Sequence, residues 1–230
     1  MISVQHLNFT YNRKRPLFQD LNFDLQPGHI YGLLGRNGSG KSTLLKNMGG
    51  LLFPDKGACL LKGNNTAKRS VSVLEEIFFI PEGIFVPHLT PSRFARSTAG
   101  FYKQFSNDQF NRYLQAFDLD AQFPMQKMSY GQQKKTIIAF GLATNTAMLT
   151  MDEPTNGLDI PSKVQFRKLI ASALSPERCV VISTHQVRDL DSLIDYLLIL
   201  ENGQIVLNDT IDHLMEILQF GSFPDTTNLP

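Results

Sequence analysis

An excess of charge of either sign is missing from this chain of 230 residues: 22 lysines and arginines stand against 21 aspartates and glutamates, a formal net charge of +1. Without a basic excess no whole-molecule field draws in nucleic acid, and the sequence predicts no nucleic-acid partner. Cysteine is scarce as well. Cys59 and Cys179 lie far apart in apolar runs (Cys-Leu-Leu and Cys-Val-Val), which predicts buried free thiols of a reducing compartment over a disulfide or metal site. No apolar run approaches the roughly 18 residues that a membrane-spanning helix needs. The opening "MISVQHLNFTY" has neither the basic start nor the apolar stretch of a secretory signal. The expectation is a soluble, cytoplasmic protein, free to dock on a membrane protein. Internal repeats and low-complexity blocks are absent too.

What is present supports a substantial core: 42% of the residues are hydrophobic, enough for one large domain or two small ones. Val4, Leu7 and Phe9, then Leu17, Leu21, Phe23 and Leu25, alternate as strands do, around the polar loop "NRKRP". "HIYGLL", residues 29–34, suits a buried parallel strand, and "KSTLLKNMGG" a helix that ends at Gly49 and Gly50. Residues 83–128 change character, rich in Phe, Arg, Gln and Ser, with helical spacing in "PSRFARSTAGFYKQF" and "NDQFNRYLQAF". "AMLTMD" (147–152) and "CVVIST" (179–184) are further buried strands with a helix between them. This alternation predicts right-handed crossovers and a parallel sheet. "YLLILENGQIVLND" reads as a hairpin turning at Asn202-Gly203, and residues 220–230 as a loose tail.

Residues 35–42, "GRNGSGKS", fit G-x-x-x-x-G-K-[ST], a pattern that chance places in a chain this long with a probability on the order of 1%. A buried strand precedes it and a helix follows. Gly38 and Gly40 let the backbone curl so that successive N–H groups point at a phosphate; Lys41 reaches the β- and γ-phosphates, and Ser42 offers a hydroxyl to Mg²⁺. The chain is thus expected to bind a nucleoside triphosphate through Gly35, Arg36, Asn37, Gly38, Ser39, Gly40, Lys41, Ser42 and Thr43. Asp152 and Glu153 end a strand, where ligands of a parallel sheet sit. The first acid suits Mg²⁺ held through water; the second suits orienting or deprotonating an attacking water, which suggests hydrolysis. His185 follows another strand and can reach a γ-phosphate or be a satisfied structural histidine.

"MSYGQQKK", residues 128–135, opens a helix without any acid to suit its positive end. The phosphate loop, "MSYGQQ", "LTMDEPTNGLD" and "ISTH" in that order resemble the nucleotide-binding subunit of ABC (ATP-binding cassette) transporters over roughly residues 1–215. The resemblance implies ATP and Mg²⁺ as ligands, with Ser42, Asp152 and Glu82 at the metal, Glu153 as general base and His185 as the switch histidine. It places Tyr11 against the adenine, although a strand-end tyrosine explains that residue as well. It also explains the helix start: Ser129, Gly131 and Gln132 would receive the γ-phosphate of ATP held by the other subunit of a head-to-tail pair. A plain N-cap accounts for Ser129 but not for the glycine. Asp159 corresponds to the loop crossing the dimer interface, and N-caps a helix equally well.

The chain departs from the family pattern at Tyr130, in place of the first signature glycine, and at Glu82, in place of a glutamine. A carboxylate at 82 ligates Mg²⁺ as an amide does but adds charge, and is expected to tune the Mg²⁺ dependence. Glu82 and a compact insert lean toward an exporter-like branch. The expected fold is α/β: a P-loop NTPase core with a mostly parallel sheet, an N-terminal antiparallel part and an inserted helical subdomain. One domain, 1–219, would comprise a core (1–81 and 129–219) and the subdomain (82–128). The resemblance implies a homodimer or paralogous heterodimer and a transmembrane permease partner, which would hold the chain at the inner face of the cell membrane. "GIFVPHLTPSRFARS" would dock that partner with Phe85, Val86, Leu89 and Phe94 beside Arg93 and Arg96, residues that a satellite core explains equally. A soluble cassette ATPase acting on ribosomes, DNA or protein assemblies is the alternative; a non-hydrolysing switch has no use for Glu153 and His185.

Overall fold

The computed structural model describes residues 1–11, 15–186, 190 and 192–217. The N-terminal strands fold as the alternation predicts. β1 (Ile2–Phe9) pairs antiparallel with β2 (Phe18–Leu25), burying Leu7, Phe18, Leu21 and Leu25 on one face. The sequence pattern assigns no strand to residues 56–65, yet two lie there. β4 (Lys56–Leu61) adds to the other edge of β1, and the two-residue β5 (Asn64–Asn65) follows it in a four-stranded antiparallel sheet.

The second sheet is the one that builds the site. Its strands are β3 (Ile30–Leu34), β6 (Ile77–Ile80), β7 (Met148–Asp152), β8 (Cys179–Thr184), β9 (Tyr196–Glu201) and β10 (Gln204–Thr210), in the order β10-β9-β3-β8-β7-β6. All neighbours are parallel except β10, which returns on β9 through Asn202 and Gly203 at φ 49 and 76; two positive φ values in a two-residue turn match the twist of a hairpin. Register brings the strand exits together: Leu34 lies beside Thr184, Asp152 beside Ser183, and Ile80 beside Met151. The segments that follow β3, β6, β7 and β8 therefore leave from one edge, the carboxyl edge where parallel sheets bind ligands.

Successive residues of β8 point to opposite faces and so feed different cores. Cys179 and Val181 pack with Leu7, Tyr31 and Leu44 between the two sheets, where α1 (Lys41–Met48) also lies. Val180 and Ile182 pack with α5 (Tyr130–Ala143) and α6 (Ile160–Ala173) on the other face. Both cysteines are buried and free, as expected, and burial pushes their thiols up to about 12.

The insert holds α3 (Pro91–Thr98) and α4 (Asn107–Ala116), after the single-turn α2 (Val71–Leu74). The helical spacing of residues 91–105 does not make one helix. α3 stops at Thr98 and a 3₁₀ turn, Ala99–Phe101, carries the chain round through Gly100. That turn lets Tyr102 and Phe105 fold back on Phe140 of α5, with ring centroids 6.1 and 4.9 Å away. Phe94 of α3 and Phe110 of α4 reach the same ring at 4.8 and 5.9 Å. Apolar residues of the insert thus join one continuous cluster with α5 and the sheet. After β10 comes α7 (Ile211–Ile217). Residues 12–14 of the polar loop and the tail at 220–230 lie outside the described residues. No helix among the described residues is long and apolar enough to cross a membrane.

Candidate nucleotide site

The loop after β3 leads to Gly40, the N-cap of α1, at φ 106. That left-handed backbone favours glycine, and a Cβ there would lie 2.9 Å from the Phe18 ring. No side chain caps α1 and its first turn holds no acid, so its N–H groups and positive end remain for a ligand. Lys41 is buried and its ammonium donates to the loop carbonyls of Gly35 (2.7 Å) and Arg36 (3.3 Å). Ser39 Oγ is buried in the same loop with no partner among the described residues. Arg36 and Asn37 are exposed. Tyr11 meets α1 through a 2.9 Å hydrogen bond between its hydroxyl and Thr43 Oγ1, while its ring packs edge-on against Phe9.

Lys41, Ser42 and Thr43 line a cavity of about 510 Å³ with Tyr11, Glu82, Asp152, Glu153 and His185. Residues far apart in sequence, expected at one place, stand at one place. A neighbouring cavity of about 710 Å³ runs from Tyr11 and the phosphate loop to Glu201, Asn202 and Gly203 of the hairpin. Asp152 is buried, its Oδ1 accepting from Ser183 Oγ at 2.5 Å. Ser183 also receives the Glu153 N–H on its carbonyl (3.1 Å) and hydroxyl (3.2 Å) oxygens. These bonds hold Glu153 at φ 45, a left-handed conformation unusual for a residue with a Cβ. Its Oε1 accepts a 2.8 Å hydrogen bond from the His185 imidazole. Its Oε2 is buried without a partner among the described residues. Glu82 Oε1 accepts from Asn156 Nδ2 at 3.1 Å.

A hydroxyl and carboxylates around one cavity are the oxygen donors that Mg²⁺ prefers. No group of three or more acidic, histidine or cysteine side chains among the described residues forms a metal cage. The donors therefore fit an ion held between protein, water and phosphates, as Mg²⁺ commonly is.

The start of α5 lies outside that cavity. Ser129 is its N-cap and Gln132 closes a capping box: Ser129 Oγ accepts from the Gln132 N–H (3.3 Å), and Gln132 Oε1 from the Ser129 N–H (2.9 Å). The first turn contains no acid. Gly131 has a packing reason of its own, because a Cβ there would sit 3.0 Å from the Gly157 carbonyl oxygen. Asp159 caps α6, accepting from the Ser162 N–H at 2.8 Å; hydrogen bonding from the Ser162 hydroxyl, and then from that N–H, holds its carboxyl below the usual range.

Tyr130 does more than tolerate a glycine's place. Its hydroxyl donates to the Glu82 carbonyl at 2.7 Å and its ring lies against Gly157. The expected docking segment is only partly a surface: Phe85 is 86% exposed, but Val86 is buried and Phe94 packs on Phe140. Sequence reasoning missed Lys134, Asn156 and Ser183, whose side chains reach the acids through tertiary contacts; a lysine at the head of an otherwise apolar helix was the one signal available.

The profile of the family described as ABC transporter matches residues 18–156. The cobalt import ATP-binding protein CbiO of Salmonella paratyphi A is 32% identical over 220 residues, spanning 90% of this chain and 80% of its own. Among solved structures, an ATP-binding subunit of an ABC transporter superposes with a TM-score of 0.84 at 25% identity, covering 94% of this chain and 92% of that one. A dimeric bacterial ABC transporter cassette shares the fold with a TM-score of 0.79 at 21% identity, over 91% and 98% of the two chains. With the phosphate loop, the acids after β7 and the acid-free start of α5 in place, the chain belongs to the ABC transporter family, as one of its ATP-binding ATPase subunits.

Proposed function

We propose that two copies of this chain, or this chain and a paralogue, close around two molecules of Mg-ATP, and that a transmembrane permease subunit turns their closing and parting into transport. Each ATP lies between the phosphate loop of one copy and the start of α5 of the other. The loop N–H groups and Lys41, released from the Gly35 and Arg36 carbonyls, hold the β- and γ-phosphates. Tyr11 carries the adenine on its exposed ring. Ser42, Asp152 and Glu82 would hold Mg²⁺, which supplies charge neutralisation at the phosphates. Ser129, the N–H of Gly131 and the α5 dipole receive the partner's γ-phosphate, and Gln132 keeps Ser129 in place through the capping box. Asp159 leads the chain across the interface. The pair docks from the cytoplasmic side, with Phe85 as the exposed apolar contact.

Glu153 carries the hydrolytic part of this reading. One of its carboxylate oxygens is fixed by His185 and the other is buried without a partner among the described residues. Such a carboxylate is oriented on one side and free on the other to take the proton of an attacking water. Glu153→Gln keeps the shape and loses the base. ATP turnover is expected to fall about 100-fold or more, with nucleotide affinity unchanged because the loop contacts remain. Steady-state ATPase assays and binding of a fluorescent ATP analogue measure the two; turnover at the wild-type rate would refute the role.

A further inference from the structure

Lys134 is fully buried near the N-terminal end of α5, where a cation gains nothing from the helix dipole. Burying an ammonium is costly unless it is paired and hydrogen-bonded. Here its Nζ donates to the carbonyl of Glu153 at 2.7 Å and of Asn156 at 3.2 Å, and lies 5.8 Å from the centre of the Tyr130 ring. Burial pushes its pKa below the usual lysine value, while Glu82, Glu153 and Asp152 pull it the other way. A neutral apolar residue would fill the same space without that cost, so the position calls for a reason beyond packing. The geometry supplies one. The carbonyl it grips belongs to the residue whose backbone is held left-handed and whose carboxylate meets His185.

We propose that Lys134 is a positioning residue for hydrolysis: its ammonium clamps the main chain of Glu153 and Asn156 to the start of α5. The inference rests on the dimer reading above, in which α5 receives one ATP and Glu153 acts on another. The clamp then joins two nucleotide sites through one chain. A phosphate settling on the α5 start shifts Lys134, and with it the carboxylate at the opposite site. Tyr130, bonded to the Glu82 carbonyl, ties the same helix start to the segment after β6.

Lys134→Met removes the clamp and keeps the volume; Lys134→Gln keeps a shorter neutral donor. The wild type is expected to hydrolyse ATP cooperatively. Lys134→Met should lose about 10- to 100-fold in kcat, as expected for a reacting group displaced by a fraction of an ångström to an ångström, with ATP affinity within about twofold and a Hill coefficient near 1. Lys134→Gln should fall between the two, and it serves if the methionine variant does not fold. A glutamine variant equal to wild type in kcat and Hill coefficient overturns the proposal. So does a kcat loss matched by equal losses of affinity and Tm, or a non-cooperative wild type. A wild type that neither dimerises nor hydrolyses ATP fails the dimer reading instead.

Discussion

Glu82 shows how one side chain can serve two settings. Its carboxylate accepts from Asn156, its carbonyl from Tyr130, and it lines the cavity with Asp152 and Lys41. Glu82→Gln can keep the Asn156 bond through its amide oxygen, so Tm should barely move. What it loses is a negative charge beside a candidate Mg²⁺ ligand. The Mg²⁺ concentration giving half-maximal ATPase is expected to rise several-fold, the size of effect one partly screened charge has at about 1 kcal/mol. Identical Mg²⁺ titrations of the two proteins would remove Glu82 from the metal's surroundings. The residue was legible in the sequence only through the family resemblance, as an acid after a strand where a glutamine is usual. Its partners were not, because Tyr130 and Asn156 stand 48 and 74 positions away and meet it only once the sheet has formed.

At the scale of elements, α5 gathers most of what the sequence did not disclose. The phosphate loop, the acids after β7 and the hairpin turn were readable because each is a local pattern with a local cause: glycine torsions, a strand end, an Asn-Gly turn. The helical spacing of residues 91–105 is only partly realised as helix, because apolar spacing reports which residues are buried, not which element buries them. Phe94, Tyr102 and Phe105 converge on Phe140 from two sides of a break in the helix. The far end of α5 hides a similar case. Arg178 is buried, and its guanidinium donates to the carbonyls of Gly141 (2.9 Å), Leu142 (3.0 Å) and Ala173 (3.3 Å), at the C-terminal ends of α5 and α6. A cation suits both helix ends. Arg178→Met removes three charge-assisted bonds, although the Gly141 carbonyl keeps the Thr144 hydroxyl (2.7 Å) and the Leu142 carbonyl the Asn145 N–H (3.4 Å); since desolvating the guanidinium also offsets part of the gain, the expected loss is about 3 kcal/mol. For a chain of this size that lowers Tm by roughly 10 °C. Thermal unfolding checks it, and an unchanged Tm would show the three bonds to be neutral in sum.

For the whole molecule the decisive question is whether the start of α5 acts on another copy's nucleotide. Within one chain Ser129 is satisfied by its capping box and does not line the cavity that holds the acids. Composite sites make a specific demand. Lys41→Ala damages the phosphate loop, while Ser129→Asp keeps a good N-cap and sets a negative charge where a phosphate would arrive. Each variant alone should be nearly inactive, because in a symmetric pair both sites carry the defect. Mixed in equal amounts, half of the pairs contain one of each, and in these one site joins the intact loop of Ser129→Asp to the intact helix start of Lys41→Ala. Independent sites would then recover about a quarter of the wild-type rate, and coupled sites less. Recovery above the sum of the separate variants establishes that the two halves of the site come from different chains. Ser129→Asp hydrolysing ATP at the wild-type rate on its own would mean that each chain hydrolyses its own ATP unaided, leaving Ser129 as a helix cap and nothing more.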